Sequence, residues 1–98
     1  MEAVRRAVVS GRWRLSEHAA YRASRRRIDA AKLRGALLVG EVVEDYADDP
    51  RGPSALVLGF VEEVPLHAVC GFDAEGHMIV ITCYIPELPD WINPRTRG

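Results

Sequence analysis

The chain has 98 residues, 48% of them apolar, with a net charge of −1 and a mean hydropathy of −0.08. These values suit one small domain, residues 1–98, with enough apolar side chains for a core. No window approaches the roughly 18 consecutive apolar residues of a membrane span, so a membrane partner is not expected. The N-terminus, MEAVRRAVVSG, lacks the long apolar stretch of a signal peptide, which makes the cytoplasm the expected location.

Residues 2–10, EAVRRAVVS, read as a short helix. Val4, Ala7 and Val8 fall at i, i+3, i+4, and Gly11 is a natural stop. WRLS then leads into SEHAAYRASRRRID, Ser16 to Asp29. Ser16 is a good N-cap and Glu17 suits the positive helix end, so a second helix is expected over 17–26. Asp29 looks like the next N-cap, with Ile28 and Leu33 placed as a hydrophobic staple. That predicts a third helix over 30–39, closed by Gly40.

After Gly40 the pattern turns to strands. EVVEDY, ALVLGFV, VPLHAVCGF and HMIVITCYI are rich in β-branched residues, and DDPRGPS, EE and DAEG separate them. The expected fold is α+β, with N-terminal helices (about 1–40) packed on a four-stranded, mainly antiparallel sheet (about 41–86). The proline-punctuated tail, about 87–98, is expected to be extended.

Charge is divided between these parts. Residues 1–40 hold 10 basic and 3 acidic side chains, net +7, and residues 41–98 hold 3 basic and 11 acidic, net −8. The split suggests a polyanion-binding face on the first half. Its competitor is mutual neutralisation of the two halves, within one chain or between copies in a homodimer.

His18, Arg22 and Arg26 follow one another at i, i+4, i+8, with Arg25 beside the row. Such a row can contact successive phosphates, and it can equally be a solvated polar face. A two-residue turn at Ala74–Glu75 would place Leu66, Ala68 and Cys70 opposite Cys83, Ile81 and Ile79 on one apolar face. His67 would then face Thr82, with Tyr84 beside them. A histidine with a tyrosine and a threonine is usable acid–base equipment, and it can also be a buried cap on the sheet. Arg51, in the DDPRGPS loop, is placed to clamp a phosphate or to pair with Asp48 or Asp49. Cys70 and Cys83 lie on the apolar face, where a thiolate is disfavoured, and no disulfide is expected. With no CxxC or HxxxH and three scattered histidines, no metal site is expected. No cofactor motif is present either.

From Leu15 to Trp91 the chain resembles a widespread bacterial family of small proteins known as a domain of unknown function. The resemblance rests on S-x-H-A, an arginine four residues on, R-x-I, G-E-V-V, P-L-H and I-T-x-Y-x-P followed by Trp, all in order. Members look like the toxin half of toxin–antitoxin pairs, and the layout is similar to RelE-type and MqsR-type messenger-RNA interferases. The resemblance implies a RelE-like fold, metal-independent RNA cleavage and a small antitoxin partner of the zinc-finger type. It picks out His18, Arg22 and His67 and gives no special place to Arg25. Taken with the spacing and the strand reading, it makes His18, Arg22, His67 and Tyr84 the expected catalytic residues, with Arg25, Arg26, Arg51 and Thr82 as expected RNA contacts. Arg27 departs from the pattern, since many relatives have glycine there. The other function class left open is a non-catalytic module that binds nucleic acid or protein.

Overall fold

A computed structural model describes residues 1–50 and 52–98. Three helices, α1 (Glu2–Val9), α2 (Glu17–Arg25) and α3 (Ala30–Leu38), cover one face of a five-stranded sheet. The strands are β1 (Trp13–Leu15), β2 (Glu41–Tyr46), β3 (Ser54–Val61), β4 (Val64–Phe72) and β5 (Met78–Tyr84), in the order β1-β5-β4-β3-β2. A separate hairpin of β6 (Trp91–Asn93) and β7 (Thr96–Arg97) follows.

The helices begin where their caps predict. The Ser16 hydroxyl accepts from the Ala19 amide at 3.0 Å and the Asp29 carboxylate from the Lys32 amide at 2.8 Å. Val4, Ala7 and Val8 of α1, Ala19 and Ala23 of α2, and Leu33, Ala36 and Leu37 of α3 are buried against the sheet's Val57, Leu66, Ala68, Cys70, Met78, Val80 and Cys83. Arg5 closes the far end of α3, donating to the carbonyls of Leu38 (3.0 Å) and Gly40 (3.1 Å), where the helix dipole favours a cation.

Two glycines are there for space. A Cβ on Gly59 of β3 would lie 2.5 Å from the Ala36 carbonyl oxygen, so α3 sits directly on that strand. A Cβ on Gly40 would meet Val57 Cγ1 at 2.8 Å. Gly40 therefore ends α3 by allowing a close approach, since its φ is not among the positive ones.

The sheet departs from the four-strand expectation at its edge. Trp13-Arg14-Leu15, read as a lead-in, pairs parallel with β5, Trp13 opposite Met78 and Leu15 opposite Val80. Three residues are too few for a period-2 pattern to show, and the strand lies between α1 and α2 in the chain, each of which contacts β5. The tail departs as well. Its hairpin lies against the helix-free face, held by Arg95 to Glu41 and by Arg97 to Glu44.

Candidate functional site

Ser16 anchors the basic helix. Its hydroxyl caps α2 and also donates to the Ile81 carbonyl at 2.6 Å, while its amide donates to the Val80 carbonyl at 3.0 Å. These bonds hold the start of α2 against β5. Ala19 and Ala23 are buried, so the opposite side of the helix carries exposed His18, Tyr21, Arg22 and Arg25. The small alanines let α2 lie close to the sheet, which brings the arginines level with the end of β5. Arg26, the C-cap residue, continues the row, and Arg27 turns the chain with a φ of 56°. That left-handed φ is one that favours glycine, because a side chain in this region is strained.

The β4–β5 register differs from the expected one in two places. The turn is a five-residue loop, with the Asp73 carboxylate accepting from the Glu75 and His77 amides, both at 2.9 Å. Further along, Ile81 is an extra residue at a bulge between the Val69–Thr82 and Cys70–Val80 pairs. Near the turn Met78 and Val80 therefore face the core, and Ile79 and Ile81 take the opposite face, correcting the apolar face read from the sequence. Beyond the bulge His67 pairs with Tyr84 and not with Thr82.

His67 is fully buried on the helix-free face, 0% exposed, between β3 and the tail. Its Nε2 lies 2.7 Å from the Pro94 carbonyl, and its Nδ1 lies 3.2 Å from the Tyr84 hydroxyl. Trp91 and Tyr84 meet it edge-on, with ring centroids 4.4 and 5.2 Å away. A carbonyl only accepts, so Nε2 carries the proton. Burial lowers the imidazole pKa and favours the neutral ring, opposed by the Pro94 bond. In the neutral ring Nδ1 is then an acceptor, and the Tyr84 hydroxyl donates to it. Burial also raises the Tyr84 pKa, so the phenol keeps its proton at neutral pH.

Two grooves meet at Tyr84. The first, about 510 Å³, runs between α2 and the ends of β4 and β5, lined by Tyr21, Arg22, Arg25, Arg26, Leu66 and Tyr84 among others. The second, about 400 Å³, continues from Arg22, Arg26 and Tyr84 to the tail's Glu87, Trp91 and Arg97. Arg26 is 3.8 Å from Glu87, a long and exposed pair worth little. Arg22 has no ion pair among the described residues. The acidic half uses two of its carboxylates on its own tail. Glu44 is held by Arg97 at 2.7 and 2.8 Å, which with Tyr46 brings its pKa down to about 2, and Glu41 is held by Arg95.

The structure thus brings Arg22, Arg25, Arg26 and Tyr84 together, with His67 behind Tyr84. His18 is exposed and lines neither groove, and Thr82, opposite Val69, lines neither. Arg51 lies outside the described residues. Trp91 and Arg97 complete the second groove, with the Arg97 guanidinium 4.7 Å from the Trp91 ring centre. The reading of the tail as extended chain missed this; its two isolated cations in an acidic half were the available signal. Both cysteines are free and buried, and burial pushes the Cys70 thiol up to about 12 and raises that of Cys83, so neither is a nucleophile. Among the described residues, Asp73, Glu75 and His77 bring potential ligand atoms within 4.8 Å of one another. They sit on an exposed turn, where one Asp73 oxygen is already engaged by backbone amides. No helix among the described residues is long and apolar enough to cross a membrane.

The fold and site define a small α+β domain with a cationic groove ending at a tyrosine–histidine pair. Residues 15–85, more than half of the chain, match a family described as a domain of unknown function (DUF4258), and the chain belongs to that family. The match ends before the tail hairpin that covers His67. No curated protein and no solved structure is significantly similar to the chain.

Proposed function

We propose that this chain is a toxin-like, metal-independent endoribonuclease that cuts RNA at Tyr84. The observation that carries the reading is one side chain with two sets of neighbours. Tyr84 lines both grooves with Arg22 and Arg26, and its hydroxyl is bonded to the buried, neutral His67.

The chemistry follows from the substrate's own 2′-hydroxyl, an internal nucleophile that needs no metal to reach its phosphate. Its proton moves to the Tyr84 oxygen as the Tyr84 proton moves to His67 Nδ1. The 2′-oxygen bonds to phosphorus, the bond to the 5′-oxygen breaks, and the leaving oxygen takes a proton from water; the hydroxide left behind recovers the proton held on His67 through Tyr84, which resets the pair. Arg22 and Arg26 hold the phosphate and offset the charge that builds on it. Tyr84 is the catalytic residue in this scheme, and His67 is a positioning residue and proton acceptor acting through it. The Pro94 carbonyl accepts from Nε2 and so fixes the histidine tautomer. Arg25 adds a backbone contact, while His18 and Thr82, which line neither groove, take no part in the step.

The α+β layout, with helices on one face of a mainly antiparallel sheet, is the coarse layout of RelE-like interferases, and it supports the toxin reading by analogy. The same analogy implies a cytoplasmic protein held in check by a small zinc-finger antitoxin. Homodimerisation would place the basic half of one copy on the acidic half of another.

A second reading has its own observation. His67 has both ring nitrogens bonded and is sealed by the tail, which is also how a purely structural histidine looks. The protein would then bind nucleic acid without cutting it.

Cleavage of a fluorescent RNA in the presence of EDTA separates the two. The expected result is product ending in a 2′,3′-cyclic phosphate, with the rate falling about 10²–10⁴-fold in Tyr84→Phe and in Arg22→Ala. Equal rates for the wild type and both variants would refute the mechanism. Salt-sensitive binding of intact RNA without any cleavage would establish the second reading.

A further inference from the structure

We propose that the groove takes single-stranded RNA, and that Tyr21 and Arg25 form a platform on which one base stacks. The inference rests on the RNA reading above and adds what the site recognises.

Tyr21 is a large aromatic side chain left 58% exposed on α2. It lies one residue before Arg22 and forms part of the same groove wall as Arg22, Arg26 and Tyr84. Its position is held from within the helix. Arg25, four residues on, donates from Nη1 to the Tyr21 hydroxyl at 2.9 Å, and its guanidinium carbon is 5.8 Å from the ring centre. A tyrosine has few torsions to order, and this bond already restrains them, so a base meets a prepared surface. Both an aromatic ring and a planar guanidinium stack on bases, and they do so with little regard to sequence.

The groove's shape selects the strand state. Its volume, about 510 Å³, lies within the roughly 300–1,000 Å³ of clefts that enclose small ligands. That is room for a nucleotide or two within the groove. Platform and phosphate-binding cations line the same concavity, so a base must enter beside its own phosphate. Bases in a helix hide their faces against their neighbours, and an unpaired strand can splay one out. A groove of arginines alone would serve either strand state. The exposed tyrosine within the groove is the feature that favours the single strand.

The test uses the full chain and probes that cannot be cut, so that binding is read apart from cleavage. Fluorescence anisotropy would follow three 2′-O-methyl RNAs of equal length: a single strand, the same strand in a duplex, and a strand with abasic units replacing the bases. The single strand should bind tightest. Tyr21→Ala should weaken it by about tenfold, leave its salt dependence unchanged and not affect the abasic strand. Tyr21→Phe, which keeps the ring, should restore most of that loss. Arg22→Ala should weaken all three probes and flatten the salt dependence. The proposal is overturned if the duplex binds as tightly as the single strand, or if Tyr21→Ala leaves single-strand affinity unchanged or weakens the abasic strand equally. In those cases the RNA reading survives. Failure of all three probes to bind at low salt would refute that reading and this proposal with it.

Discussion

Replacing His67 by alanine tests the centre of the structure. The imidazole is fully buried and bonded at both nitrogens, to Pro94 and to Tyr84. Truncation leaves a carbonyl and a phenol without their partner, each worth about 1–3 kcal/mol while it stays buried. It also opens a cavity under Trp91, and large-to-small changes of this kind cost about 2–5 kcal/mol in other cores. The tail can relieve part of this by lifting and letting water in, so these terms do not simply add. A net loss of about 3–5 kcal/mol is the reasoned figure, against the 5–15 kcal/mol that holds a typical domain together. For a chain of this size each kcal/mol is worth about 4–8 °C, so the melting midpoint should fall by at least about 12 °C. Far-UV circular dichroism would follow the melt. Emission in a Trp13→Phe background would report Trp91, which should shift to the red as the tail lifts. His18→Ala, at an exposed position, should stay within about 0.5 kcal/mol of the wild type. A His67→Ala melt within about 4 °C of the parent, with unshifted emission, would refute this account of the tail.

Gly59→Ala should destabilise the domain by about 1–3 kcal/mol or more, because the new Cβ meets the α3 backbone and not a yielding side chain; urea titration would show it, and an unchanged midpoint would contradict the α3–β3 contact. Arg27→Gly should raise stability by up to about 1–2 kcal/mol by removing the strain of a left-handed non-glycine residue, less the added freedom of the unfolded chain, and a thermal melt reads the sign. Stability should also fall with acid. The folded pKa of His67 is depressed below 6.5, so the unfolded chain binds the proton first as pH drops; the contribution is complete above about pH 6.5 and is lost below it. A His67→Gln variant should lose that part of the pH dependence and keep the later loss below pH 4.5, where Glu44 of the unfolded chain takes up a proton while in the folded protein Arg97 holds it ionised down to about pH 2.

Local rules carried much of the fold. Ser16 and Asp29 cap the helices they were expected to cap, and the buried residues of α1 are those on its apolar stripe, because capping and periodicity act over three or four residues. The four main strands were legible in their β-branched runs. Long-range pairing was not. The parallel edge strand at Trp13–Leu15 is too short to show a period, and the bulge at Ile81 is one extra residue whose place depends on both strands at once. The tail hairpin is fixed by ion pairs spanning more than fifty residues of sequence. The candidate site divides the same way. From the sequence alone came the arginine row on one helix face and the shared face of His67 and Tyr84, the latter because the register error was an even number of residues. Only the tertiary structure decided that His67 is sealed behind Tyr84 while His18 stands in solvent. Burial is set by what the distant tail covers, and no pattern local to either histidine encodes that.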